Sequence, residues 1–204
     1  MTGTAVAVLA AGRGSRVVGA GDTPKPLLEL GGRPLVSWAL DAAMDSGLRP
    51  VVLVVGHQGS KVGRVVPQGV SVVRARGWRS GIARSMRAAL DAFEGWAQVG
   101  AACIGLADQP RIGAEAYRRL AAAYDDGATF AVATYGGVRA NPVLLARSLW
   151  PAARELDGDE GARALMRTLP VVEVACDDTG DPQDVDTLDD LRMIEDTLGR
   201  ERES

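Results

Sequence analysis

Short apolar runs alternate along this chain with stretches whose apolar positions recur every three or four residues. Residues 5–9, 51–55, 70–73, 101–106, 129–134, 143–145 and 171–174 have the length and branched-residue content of strands. The run at 51–55 is apolar at every position, as expected of a strand buried on both faces. Between these runs the period changes. Residues 34–46 keep Leu35, Trp38, Ala39, Ala42 and Ala43 on one side, with Pro34 suited to a first helical turn and Gly47 to an end. Ile82, Met86, Ala89, Leu90 and Phe93 mark a second helix, and residues 114–124 a third. Helical stretches follow at 149–156 and up to Met166. A last helix opens on Thr187 and Asp190, a capping-box-like pair, and carries Leu188, Leu191, Ile194 and Leu198 as its stripe. The run at 143–145 should pair back beside the fifth strand, after the turn at Gly136 and Gly137.

Strands that alternate with helices predict an α/β fold with a mostly parallel central sheet and helices on both faces. No internal repeat or linker divides the sequence, so 1–204 reads as a single domain with a frayed tail at 199–204.

Composition narrows the function by exclusion. The formal charge is −3 with no basic block, which argues against nucleic acid as a partner. No basic segment precedes an apolar run at the start, and no apolar stretch approaches the length of a membrane span, so a cytoplasmic protein with no membrane contact is expected. Cys103 and Cys176 form no C-x-x-C pair, and Cys103 in an apolar strand reads as a small core residue. The single histidine, His57, excludes a multi-histidine metal site and reads as a loop residue.

Chemistry gathers in three loops that should lie beyond the carboxyl ends of the strands, where open parallel sheets bind ligands. The first spans 9–25, LAAGRGSRVVGAGDTPK, with glycines at 12, 14, 19 and 21, cations at Arg13 and Arg16, and Lys25 between two prolines. Glycines admit backbone N–H groups close to an anion, and the cations offset its charge. It is neither a dinucleotide fingerprint, since Val17 stands where the third glycine belongs, nor a P-loop, since proline flanks the lysine. The second loop begins Asp108-Gln109-Pro110, and the third holds Asp181, Asp184 and Asp186. A carboxylate leaving a central strand beside a cationic loop suits Mg²⁺, which takes one or two carboxylates plus phosphate and water. Asp108 is equally readable as a turn or cap residue, Arg13 and Arg16 as solvated cations, and Asp181 as part of a solvated acidic loop.

The opening LAAG-x-G-x-R with its downstream lysine resembles the signature of the MobA-like nucleotidyltransferases. Trp78 with Gly81 and Ser85, the Leu-Ala-Asp-Gln-Pro ending at Pro110, Asn141-Pro142-Val143, the Gly158-Asp159-Glu160-Gly161 segment and Asp184-Val185-Asp186-Thr187 are similar to the molybdenum-cofactor cytidylyltransferase (MocA-like) branch. The resemblance runs from about residue 4 to 198. It implies a Rossmann-like nucleotidyltransferase fold and an enzyme that uses Mg²⁺, or Mn²⁺ in its place. That enzyme moves a nucleoside monophosphate from a nucleoside triphosphate, CTP favoured over GTP, to a phosphorylated acceptor, molybdopterin, and releases pyrophosphate.

Carried onto this sequence, Leu9, Ala10, Ala11, Gly12, Arg13 and Gly14 hold the nucleotide together with Lys25, Gly81 and Ser85. Lys25, Arg16 and Asp108 serve catalysis. Asp108, Asp186 and Asp184 bind the metal, and Asn141, Gly158, Asp159 and Gly161 face the acceptor. The sequence departs from the branch at Ala107, often glycine, at Asn141, often histidine, and in extra residues at 17–23. Transfer to a sugar phosphate or phospholactate, and a non-catalytic role delivering cofactor to a molybdoenzyme or its chaperone, are the competing readings.

Overall fold

The computed structural model describes residues 3–12 and 22–203, with side chains described through residue 200. In chain order the elements are β1 (Gly3–Ala10), a 3-10 turn (Lys25–Leu27), β2 (Glu29–Leu30), β3 (Arg33–Pro34), α1 (Leu35–Asp45), β4 (Val51–Val55), α2 (Gly59–Val62), β5 (Val70–Arg74) and α3 (Ile82–Glu94). There follow β6 (Val99–Leu106), α4 (Ala114–Asp125), β7 (Phe130–Tyr135), β8 (Val138–Ala146), α5 (Trp150–Arg154), α6 (Ala162–Met166), β9 (Val172–Ala175) and α7 (Leu188–Glu203). Seven strands form one sheet in the order β5-β4-β1-β6-β8-β7-β9. Only β8 runs antiparallel to its neighbours, folding back from β7 through the Gly136–Gly137 turn.

Alternation along β1 shows why both faces of the sheet need cover. Val6, Val8 and Ala10 pack with Val36, Leu40 and Ala43 of α1 and with Tyr117 and Leu120 of α4. Ala5, Ala7 and Leu9 face the other way, toward Met86, Leu90 and Phe93 of α3 and Trp150 of α5. Residues one apart point to opposite sides of a strand, so an all-apolar run demands helices on both faces. The fold class read from the sequence is the one observed.

Three features depart from the sequence reading. The β2–β3 ribbon and α2 are too short to leave a periodic signal. The last helix continues past Gly199 to Glu203, where a frayed tail was expected. A helical glycine costs only about 1 kcal/mol against alanine. The flanking Arg200, Glu201 and Arg202 are good helix formers, and Arg200 Nε donates to the Asp196 carbonyl at 3.2 Å.

The chain moves from β1 outward to β4 and β5, then returns to place β6 on the other flank of β1. That reversal makes the gap above β1 and β6 a topological switch point, the crevice where open α/β sheets bind ligands. A small third cluster secures one side of it. Leu28, Leu30 and Leu35 pack with Val185 and Ile194, so the ribbon after Lys25 and the segment leading into α7 lie side by side.

Candidate active site at the switch point

A cavity of about 530 Å³ opens at the carboxyl ends of β1 and β6. Leu9, Ala10, Ala11 and Gly12 form one wall. The strand pairing runs on beyond the sheet there, with the Ala107 N–H donating to the Leu9 carbonyl at 3.0 Å. Gly56 is needed at this wall because a Cβ would collide with the Ala11 carbonyl and the Trp78 ring. The rest of this lining comes from Trp78, which adjoins Ala11, from Arg79 and Gly81 before α3, and from Ile82 and Ser85 within it.

Gly81 has φ 111°, and a Cβ on it would run into the Gly158 carbonyl, so only glycine fits without strain. The same carbonyl accepts the Ala83 N–H at 3.1 Å, which docks the 158–161 loop on the start of α3 and brings Asp159 to the cavity.

Lys25, Asp108 and Asp186 meet inside the cavity, although 83 and 161 residues separate the lysine from its partners. Lys25 Nζ donates to Asp108 Oδ2 at 2.6 Å and to Asp186 Oδ1 at 2.8 Å. Its side chain is 12% exposed, against 30% and 45% for the two aspartates. Burial alone would lower the lysine pKa, but the two carboxylates outweigh it and hold the pKa above its ordinary value. The ammonium is therefore a fixed positive charge at neutral pH.

Asp184, the third acid assigned to the metal, does not line the cavity. Partial desolvation, then repulsion from Asp108 and Asp186, raises its pKa.

The loop carrying Asp184 and Asp186 is tied along the one that follows β6. Val185 N–H donates to the Asp108 carbonyl at 2.8 Å and Gly113 N–H to the Thr179 carbonyl at 2.9 Å. Gln109, 5% exposed, donates from Nε2 to the Pro182 carbonyl at 2.9 Å and accepts Asn141 Nδ2 on Oε1 at 3.0 Å. Asn141, assigned to the acceptor, is thus bound behind the wall and does not line the cavity. Thr187 and Asp190 form the expected reciprocal cap. Asp190 N–H donates to Thr187 Oγ1 at 3.1 Å, and Asp190 Oδ2 accepts the Thr187 N–H at 2.7 Å and the Asp186 N–H at 2.9 Å. Its hydrogen bond to Thr187, followed by those to the backbone, holds Asp190 below the ordinary carboxylate range. The cap therefore fixes the backbone of Asp186 as well as starting the helix.

Of the residues singled out in the sequence, Leu9, Ala10, Ala11, Gly12, Lys25, Gly81, Ser85, Asp108, Asp159 and Asp186 meet in one cavity. Gly158 and Gly161 shape the loop beneath Asp159, Gly161 at φ 51° against the Ile82 side chain. Arg13, Gly14 and Arg16 lie outside the described residues, as do positions 17–21 of the extra residues. The sequence reading missed the wall role of Arg79, whose guanidinium lies 4.7 Å from the Trp78 ring centre. It also missed the bridging role of Gln109. The Trp-Arg-Ser-Gly and Asp-Gln-Pro strings were the available signals.

The donor set can be tested for a divalent ion. Among the described residues no group of three or more histidine, cysteine or carboxylate side chains is arranged to cage a metal. Two part-exposed carboxylates converging inside a cavity fit an ion that draws its remaining oxygens from phosphate and water. They do not fit a structural ion held by protein alone. No described helix is long and apolar enough to cross a membrane.

Comparison with known proteins gives the family and the fold. The chain is 30% identical over 198 residues to nicotine blue oxidoreductase of Paenarthrobacter nicotinovorans, covering 92% of this chain and 94% of that one. The structure of Rv0371c from Mycobacterium tuberculosis H37Rv superposes with a TM-score of 0.82 at 29% identity, over 96% of this chain and 98% of that one. Rv0371c in complex with manganese superposes with a TM-score of 0.79 at 28% identity, over 96% and 99% of the two chains. The model of the MobA-like NTP transferase domain matches residues 6–174, and this chain belongs to that family.

Proposed function

We propose that this protein is a Mg²⁺-dependent nucleotidyltransferase of the cytoplasm. It would transfer the monophosphate of CTP, or of GTP, to the terminal phosphate of molybdopterin and release pyrophosphate. The observation that carries this reading is the Lys25–Asp108–Asp186 cluster set in a cavity also lined by a glycine-containing turn. Phosphoryl-type transfer asks for alignment and charge neutralisation rather than a covalent partner.

An acceptor phosphate oxygen attacks the α-phosphorus and a P–O–P bond forms. The bond from the α-phosphorus to the bridging oxygen breaks, and pyrophosphate leaves with that electron pair. The nucleophile is already an anion, so no proton is removed, and a site built without histidine is adequate. Leu9 to Gly12 supply backbone and a small-residue wall for the nucleoside, together with Gly81 and Ser85. Lys25 offsets phosphate charge. Asp108 and Asp186 would hold Mg²⁺, or Mn²⁺ in its place, which when bound offsets the remaining charge. Asp159, carried by its loop to the rim, faces the acceptor. The motif at 158–161 supports molybdopterin over a sugar phosphate or phospholactate.

The similarity to an oxidoreductase raises a second reading, hydride transfer on the same fold. Hydride chemistry has no use for a lysine clamped between two carboxylates, which is why transfer is preferred. A pyrophosphate-release screen decides between them. It takes each of CTP, GTP, ATP and UTP with Mg²⁺ or Mn²⁺ and each of several phosphorylated acceptors, with molybdopterin among them. Release that depends on both metal and acceptor is expected. No release with any pair, alongside oxidation of a reduced dinucleotide, would sink the transferase reading. Molybdenum-cofactor delivery without any release would point to the binding role.

A further inference from the structure

Nucleotidyl transfer brings two cations to one triphosphate, a lysine and a divalent ion. In this structure the lysine stands where the ion would go. Lys25 Nζ lies 2.6 Å from Asp108 Oδ2 and 2.8 Å from Asp186 Oδ1. Mg²⁺ lies about 2.1 Å from its carboxylate oxygens. An ion held by these same two oxygens would therefore press against the ammonium. Like charges at such separations repel strongly where water is partly excluded, and the lysine side chain is only 12% exposed. The two cations compete for one position. Buried Pro24 and Pro26 fix the backbone on either side of Lys25, so its ammonium moves by side-chain rotation alone.

We propose that Lys25 is a displaceable counter-ion that couples the metal to the nucleotide. Without nucleotide, its ammonium fills the cation position between Asp108 and Asp186 and keeps bare metal out. Triphosphate oxygens draw the ammonium away, and the two carboxylates then accept the divalent ion. The ammonium offsets one of the two carboxylate charges, and a divalent ion in its place offsets both while the ammonium turns to phosphate. The inference rests on the transferase reading above and adds an order to it. Nucleotide arrives before the metal or together with it, and each ligand favours the other through Lys25.

The plain alternative is an ion pair that merely fastens the Lys25 turn to the two acidic loops. One substitution separates the two, because their predictions differ in sign. Mn²⁺ alone is titrated by calorimetry into wild type, Lys25→Met and Asp108→Asn. CTP and GTP are titrated into the same proteins in EDTA. Displacement predicts that Lys25→Met binds Mn²⁺ about tenfold tighter than wild type, the lost repulsion being electrostatic. The same variant should bind nucleotide about tenfold more weakly, having lost a charge-assisted hydrogen bond to phosphate. A fastening role predicts that both affinities fall.

Lys25→Met binding Mn²⁺ no tighter than wild type would overturn the inference, while loss of Mn²⁺ binding in Asp108→Asn would leave the metal site standing. Asp108→Asn binding Mn²⁺ like wild type would overturn the metal assignment, and the displacement with it. If Lys25→Met does not fold by circular dichroism, Lys25→Gln repeats the test with an uncharged hydrogen-bonding side chain.

Discussion

Asp184 is a carboxylate of the third loop that stands outside the cavity. Its carboxyl is partly desolvated and sits near Asp108 and Asp186, so its pKa lies above the ordinary 3.8. A carboxyl raised in the folded state favours folding when protonated. Its contribution is fully present below pH 3.8 and is lost as pH rises through the raised value. Ionised Asp184 thus opposes folding at neutral pH. Asp184→Asn should be more stable than wild type at pH 7, by up to about 1 kcal/mol given its exposure. That advantage should vanish below about pH 4, near the ordinary carboxyl value. Denaturant melts from pH 3 to 8 check this, and an equal or lower stability of the variant at pH 7 would contradict it. Lys25, by contrast, stood out in the sequence because prolines flank it. Its contact with two aspartates was not legible, because no local pattern reports pairings across 83 and 161 residues.

At the scale of elements, the site depends on short pieces joined at their ends. The 177–187 segment has no regular structure except a single bridge between Ile112 and Gly180, yet it is held at several points along the loop after β6. The long elements were readable because periodicity accumulates over their length. The β2–β3 ribbon and the Gln109 bridge are set by tertiary contacts and left no such pattern. The capping box was readable because its spacing is local, though its grip on Asp186 was not. Thr187→Ala removes the cap hydroxyl and should cost about 1 kcal/mol of stability. Asp190→Ala removes in addition the carboxylate that anchors the Asp186 N–H, and should lower transfer as well as stability. Urea melts alongside kcat and KM test this. A stability loss with unchanged kcat would mean the cap serves the helix alone.

Over the whole molecule, the alternation of strands and helices was enough to give the sheet, its cover on both faces and the carboxyl-end location of the three chemical loops. The switch point above β1 and β6 explains why loops so far apart in sequence meet there. Motif resemblance identified most of the cavity walls. The hydrogen bond from Asn141 to Gln109 was not legible, because a motif records residue identity and not side-chain direction. The central claim is that the chain moves a nucleoside monophosphate to a phosphate acceptor. It is tested most directly with α-phosphate-labelled CTP or GTP, molybdopterin and Mg²⁺, following the label in wild type and Asp108→Asn. Label should pass to the acceptor in step with pyrophosphate release in wild type, and drop at least about a hundredfold in the variant. Label that stays in the triphosphate, or appears only as free monophosphate, would contradict the account.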